Sequence, residues 1–298
     1  MSARATDNLG AAIAIYLLAL FLFDAMGLII KHLSPRYTAA ELSVWRNLFG
    51  LLPSFIALYA TSAWRNSGRK IVIRQWRLAV FRGLIVAIAQ LLYYLSLGAL
   101  AFAIATTISF SVAIFMTVLA VPILGEKVGW VRWSAVAIGF IGVLLVARPT
   151  GATFEWIMLA PIFAAFFYAL TGVLARLFDD DVPSPLANVY SNVLAFFGSL
   201  VLVMFWGGFS PLQSVADIGW LVAMGTFGGL AVLCLVVSFR MTEQSNLAPF
   251  SYFGIPVAFA LGWVFFNEAP FDALFPGALL IIAGGILVVL RERQLRNS

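Results

Sequence analysis

Asp24 and Arg46 are the residues of this sequence whose chemistry is hardest to explain by packing. Each stands inside an apolar run, "AIAIYLLALFLFDAMGLII" and "ELSVWRNLFGLLPSFIALYA". A charge placed there normally faces a cavity or a partner, because lipid solvates neither form. Asp24 lies seven residues before the end of its run and Arg46 seven after the start of the next. At the rise of a helix both sit roughly 10 Å below one membrane surface, so a pair is expected. Such a pair either fixes a helical hairpin or holds the ammonium and carboxylate of a zwitterionic solute. Arg82, near the opposite end of the third run, reads as an anchor beside a basic loop.

Smaller polar groups fall at helical spacing. Gln90, Tyr93 and Tyr94 share one face, as do Ser109 with Thr106 and Phe110, and Asn188 with Asn192. Tyr168, Ser251 and Tyr252 extend the set of cavity candidates, since tyrosine supplies an apolar wall with one hydroxyl. The competing role for these stripes is hydrogen bonding between helices. Pro249, Gly254 and Pro256 mark the ninth run as a candidate bending gate, because proline removes a backbone donor.

The elements that must position these residues follow from composition. Of 298 residues, 63% are hydrophobic and 10% charged, against roughly 25% charged in soluble domains. The excess apolar surface has to meet lipid. Ten runs near the length needed to cross a ~30 Å hydrocarbon core are read at 9–31, 39–61, 77–98, 101–124, 130–148, 154–177, 185–207, 217–239, 244–267 and 272–290. Helices are expected, because a bilayer offers no water to backbone groups. The class is therefore an all-α polytopic membrane protein with ten transmembrane helices.

Most of the 18 Lys and Arg, among them Arg65, Arg69, Lys70, Arg74 and Arg77, fall in segments that share one side. The positive-inside rule places both termini in the cytoplasm. The basic loop is a retention signal and a contact for membrane lipids, so no nucleic-acid partner is expected. One cysteine and one histidine offer neither a metal set nor a Cys–His couple, so no cofactor, metal or catalytic residue is assigned.

The chain also repeats. Gly83 with Gly225, Leu91 with Leu233, Ser109 with Ser251, Glu126 with Glu268 and Gly142 with Gly284 coincide at an offset of 142. Phe21 with Phe166, Gly27 with Gly172, Lys31 with Arg176, Asn47 with Asn192 and Ser54 with Ser199 coincide at 145. The slip falls in the basic loop, where a length change costs little. Five helices per half invert the second repeat, giving halves at 1–150 and 151–298 that face opposite ways, as in many secondary transporters.

The block "YYLSLGALAFAIATTISFSVAIFMTVLAVPILGEKV" with "GFIGVLLV", and its second copy "SFRMTEQSNLAPFSYFGIPVAFALGWVFFNEAPF" with "GGILVVL", resemble the EamA-type drug/metabolite transporter superfamily. The likeness covers nearly the whole chain and is nearest to the bacterial aromatic amino acid exporters. The second block departs from the family's Gly-Glu by having Asn267-Glu268. The resemblance implies a gradient-linked exporter in the inner membrane, and no Walker A pattern is present. Export of Phe, Tyr, Trp and Met by a monomer is the resulting expectation. Another small metabolite, a cationic drug, or a channel or structural role are the alternatives.

Overall fold

The computed structural model describes residues 9–66, 68–69, 71–125, 129–147, 155–179, 182–205, 207–241, 247–284 and 286–287. Every regular element among them is a helix. In chain order these are α1 (Leu9–Leu33), α2 (Ala39–Ala60), the short α3 (Ser62–Asn66), α4 (Trp76–Ala99), α5 (Phe102–Ser109), α6 (Val112–Leu124) and α7 (Trp130–Ala147). The 3₁₀ turn Trp156–Met158 leads into α8 (Leu159–Ala175), followed by α9 (Ser184–Phe205) and α10 (Val215–Met241). A second 3₁₀ segment, Ala248–Phe253, precedes α11 (Gly254–Phe266) and the short α12 (Phe271–Leu274). Residues 277–284 are helical again.

Six helices among the described residues are long and apolar enough to cross a membrane. Their outward faces carry side chains such as Leu52, Phe205 and Val264, more than two-thirds exposed. Surface of that kind is stable only against lipid.

Contacts between loops define the two ends of the bundle. At one end Gln75 Nε2 donates to the Leu177 carbonyl (2.9 Å), and the Asp179 amide donates to Gln75 Oε1 (2.9 Å). The basic loop and the α8–α9 connection therefore share a face. At the other end Arg36 meets Asp217 (2.5 Å), and Tyr37 donates to the same carboxylate (2.8 Å). There Thr38 caps α2 with Glu41 in a capping box, so the orphan amides of that terminus are satisfied reciprocally. Glu41 also accepts from the amide and the hydroxyl of Ser210, the latter at 3.1 Å.

Two of the expected helices are interrupted. The run 101–124 is divided at Phe110–Ser111, where the Phe110 amide bonds the carbonyls of both Thr106 and Thr107 (3.2 Å each) and the Ser111 amide bonds Ile108 (3.0 Å). The turn has tightened from i→i+4 towards i→i+3, which costs regular hydrogen-bond geometry. The run 244–267 is a 3₁₀ segment and then α11, with 242–246 outside the described residues. Phe110 and Tyr252, at the two interruptions, are 142 apart.

The caps that follow also correspond. Gly125 ends α6 at φ 68° and Asn267 ends α11 at φ 54°. Asparagine is the non-glycine residue best able to take this left-handed cap. The departure from Gly-Glu thus leaves the turn intact. Glu126 itself lies outside the described residues.

Glycines bring the helices together at matched places. A Cβ on Gly83 of α4 would meet Leu194 Cβ and lie 3.2 Å from the Ser191 carbonyl of α9. A Cβ on Gly225 of α10 would meet Phe49 Cβ and lie 3.2 Å from the Arg46 carbonyl of α2. Likewise a Cβ on Gly142 would stand 2.7 Å from Gly277 O and Ile281 N, and one on Gly284 2.8 Å from Ala135 O and Gly139 N. Small residues allow such backbone approach where no hydrophobic force drives helices together.

Candidate functional site

Residues of α1, α2, α4, α8 and α9 that looked out of place in lipid line one cavity of about 550 Å³. Its wall holds Asp24, Arg46, Gln90, Tyr93, Tyr94, Ser109, Phe110, Tyr168, Asn188, Asn192 and Tyr252, all singled out by type and spacing. It also holds Tyr16, Phe23, Arg82, Thr106, Met116, Ser191 and Val232. The side chains of Ser251 and Pro249 lie outside the described residues. Pro249 sits within the 3₁₀ segment, Gly254 opens α11, and Pro256 falls in its first turn. A proline there removes no intrahelical bond. The break therefore precedes Pro256 and is not a kink within one helix.

The expected Asp24–Arg46 pair is not formed. Ion pairs are formed elsewhere, by Lys31 with Glu268 (2.8 Å) and Arg36 with Asp217 (2.5 Å). Arg46 is drawn instead towards α9: its Nη1 donates to Asn47 Oδ1 (3.1 Å) and makes a longer contact with Asn192 Oδ1 (3.4 Å). Asp24, 6% exposed, keeps Oδ2 buried with no hydrogen-bond partner. Both side chains line the same chamber without bonding to each other.

Arg82 also departs from the anchoring role. Its Nε donates to the Thr171 carbonyl (3.0 Å) and its Nη1 to the Ser191 hydroxyl. The guanidinium is held inside, between α4, α8 and α9, by neutral acceptors. Nothing in the sequence around Arg82 signals this. The pointer is the repeat, in which Ser191 takes the position of Arg46.

A buried polar knot braces this wall. Ser43 Oγ and Asn47 Nδ2 both donate to Gln90 Oε1 (2.7 Å each), and Gln90 Nε2 returns a bond to Asn47 Oδ1 (3.1 Å). The hydroxyls of Ser43 and Ser199 lie 2.7 Å apart, and Asn192 Nδ2 donates to Ser54 Oγ (2.8 Å). Gln90 and Asn192 thus serve the helix contact as well as the wall. Satisfied networks of this kind rigidify their surroundings.

Another part of the wall is aromatic. The rings of Tyr93 and Tyr168 lie 6.5 Å apart, edge to face, and those of Phe110 and Tyr252 6.3 Å. Phe110 and Tyr252 come from the two helix interruptions, and a Cβ on Gly254 would strike the Phe110 ring. Three of the buried polar atoms without a hydrogen-bond partner, Asp24 Oδ2, Arg46 Nε and Tyr252 Oη, belong to residues of this wall. Native proteins rarely leave such groups unpaired, so three around one chamber need an explanation.

A second polar knot sits about two turns along α1 from Asp24. Lys31 Nζ bonds Glu268 Oε1 and the Leu100 carbonyl (2.6 Å), while Glu268 Oε2 accepts from the Phe102 amide (2.8 Å). Below this knot lies a packed cluster that includes Ile30, Leu97 and Phe102. No sequence signal paired Lys31 with Glu268 beyond their both ending apolar runs.

A lipid-facing helical bundle that encloses a solute-sized, partly charged chamber defines a membrane protein built to handle small molecules. Comparison with known proteins gives the particular group. The chain belongs to the EamA-like transporter family, which it matches over residues 10–148 and again over 155–290. It is a membrane transporter and not an enzyme. It is 27% identical over 286 residues to an S-adenosylmethionine uptake transporter of Rickettsia conorii, covering 95% of this chain and 93% of that one. It is 24% identical over 288 residues to a pseudopaline exporter of Pseudomonas aeruginosa, covering 95% of each. A riboflavin transporter of Vibrio cholerae is 29% identical over 162 residues, 53% of each chain. A solved crystal structure superposes with a TM-score of 0.61 at 19% identity, over 96% of this chain and 99% of that one, which establishes likeness of fold.

Proposed function

We propose that the protein is a secondary transporter that moves an amino-acid-headed amphiphile through this chamber by alternating access. Its ten membrane segments form two inverted five-helix repeats, 1–150 and 151–298, with both termini in the cytoplasm of a bacterial inner membrane. The matched glycine contacts, the caps at Gly125 and Asn267 and the double family match support the repeat. Inverted repeats supply two packings of similar energy, one open to each side. In the present packing the Lys31–Glu268 knot closes the outer end.

The observation that carries the substrate class is Asp24 Oδ2, buried and unpartnered in a chamber that also holds Arg46. The carboxylate receives an ammonium and the guanidinium a carboxylate, while the tyrosines accept an apolar or aromatic body. Aromatic and other apolar amino acids, carried outward, are the simplest solutes that meet these terms. S-adenosylmethionine is the second reading. It has the same head with an added cation and an adenine ring, and the Rickettsia relative spans nearly the whole chain.

The test is uptake of labelled L-phenylalanine and of S-adenosylmethionine into proteoliposomes, with unlabelled competitor and counterflow. Saturable exchange is expected, and Asp24→Asn should abolish it while the variant inserts and purifies normally. Full transport by Asp24→Asn would remove the carboxylate from the mechanism. Non-saturable flux would replace the carrier with a channel.

A further inference from the structure

The chamber holds one carboxylate and two guanidiniums, and none of the three is ion-paired among the described residues. Asp24 and Arg46 satisfy a simple zwitterion. Arg82 remains, balanced only by a backbone carbonyl and a serine hydroxyl. A guanidinium that lines such a chamber and is held by neutral acceptors retains its charge and draws a counter-anion. Its planar fork is suited to carboxylate or phosphate in a way that lysine is not.

The two arginines enter the chamber from different helices, α2 and α4, and both reach α9. Arg46 reaches Asn192 and Arg82 reaches Ser191, consecutive residues of α9. Along α4, Arg82 lies about 12 Å from Gln90 at the helical rise, and Gln90 bonds the same Asn47 that receives Arg46. The chamber thus carries a guanidinium from α2, another from α4 and the carboxyl of Asp24 on α1.

We propose that Arg82 is a specificity-determining residue that binds a second acidic group, so the preferred solutes carry one amine and two acids. This rests on the chamber being the transport site. Plain aromatic amino acids then fill two of three charged positions and are the poorer substrates. A second carboxylate and a phosphate share this chemistry, and the size of the chamber allows either.

Two probes that differ in one group test it: N-(1-carboxyethyl)-L-phenylalanine, and N-isopropyl-L-phenylalanine, which keeps the branched body and has a methyl in place of the second acid. L-phenylalanine is the reference, and O-phospho-L-tyrosine tests phosphate in place of the second carboxylate. Each is measured as an inhibitor of counterflow and by the thermal shift of the purified full chain. The dicarboxylate should bind about tenfold more tightly than its N-isopropyl analogue, the scale of one charge-assisted hydrogen bond. Arg82→Gln should erase that ratio, weakening the dicarboxylate far more than N-isopropyl-L-phenylalanine, and Arg82→Lys should restore part of it. A purely structural Arg82 would instead weaken all probes together, which overturns the assignment. Equal binding of the two analogues by the unaltered protein overturns it as well, unless phosphotyrosine alone gains and loses with Arg82, which assigns the position to phosphate. If none of the compounds binds or is moved, the chamber is not the transport site and this assignment falls with it.

Discussion

The crossing of α2 with α10 and the crossing of α4 with α9 have the same backbone and different chemistry. In the first, Gly225 lies under the Arg46 carbonyl and Phe49; in the second, Gly83 lies under the Ser191 carbonyl and Leu194. Arg46 and Ser191 correspond, as do Phe49 and Leu194, and the distance to each carbonyl is 3.2 Å. Yet the first crossing carries its arginine on α2, with Met224 preceding the glycine of α10. The second carries Arg82 immediately before the glycine of α4. Close approach of the backbones is thus what the two halves share, and the placement of charge is what distinguishes them. A transport path needs that asymmetry, since a symmetric chamber would present the same groups to both ends of an asymmetric solute.

The sharpest way to break this comparison is to remove each arginine. Arg46 is 6% exposed and serves Asn47 and Asn192. Hydrogen bonds to a charged group contribute about 1.5–3 kcal/mol each when well formed, and a partner left buried adds its own cost. Arg46→Ala is expected to lower stability by about 3 kcal/mol and to abolish transport. Arg82→Ala, at a half-buried site with a backbone carbonyl that can take up water, should cost about 1 kcal/mol. Thermal melting in detergent, with transport measured alongside, checks the order. Equal losses would mean that the two crossings are chemically alike after all.

A second comparison acts on what the crossings share. Gly83→Ala and Gly225→Ala each place a methyl against a Cβ and a carbonyl of the facing helix. Overpacking of this kind costs about 1–3 kcal/mol, because helices must part or side chains leave their rotamers. The two melting temperatures should fall by similar amounts. A response at one glycine alone would show that only that helix pair is tightly joined.

The sequence exposed the shared part better than the distinguishing part. Apolar runs near membrane length, the offset of Gly83 to Gly225 and the inward polar stripes all reflect local pattern, and the helices lie close to where those patterns place them. Gln90, Tyr93, Tyr168 and Asn188 reach the chamber because amides and phenols are disfavoured in lipid. The Asp24–Arg46 pair failed for a reason depth alone does not contain. Asn47 and Asn192 offer Arg46 acceptors on its own helix and on α9, and no periodicity in α1 or α2 records a partner so distant in the chain. Arg82 was misplaced in the same way, since Thr171 and Ser191 come from the other half. The interruption at Phe110–Ser111 has neither proline nor glycine to announce it, and it became legible only beside the 3₁₀ segment that ends at Phe253.

The smallest expected effect concerns the two ends of the chamber. Lys31 and Glu268 fall in the two separate family matches, and the residues offset from them by 145 and 142 are Arg176 and Glu126, the latter outside the described residues. The Lys31–Glu268 pair is partly exposed, with side chains 11% and 27% accessible, so its contribution is at the upper end of a surface pair, about 1 kcal/mol. Removing it should raise the fraction open at that end about fivefold. Lys31→Met loses both the ion pair and the bond to the Leu100 carbonyl. Glu268→Gln keeps an oxygen for the Phe102 amide and leaves Lys31 on Leu100, so its effect should be smaller. A Leu97→Cys reporter in a Cys234→Ser background, labelled by an impermeant maleimide, reads the opening from the Lys31 end. The charge-reversed pair Lys31→Glu with Glu268→Lys should recover labelling protection only in part, because a glutamate cannot donate to Leu100 and a lysine cannot accept from Phe102. Full recovery would reduce the knot to a simple ion pair, and unchanged labelling in Lys31→Met would place the closure in the apolar cluster beneath it.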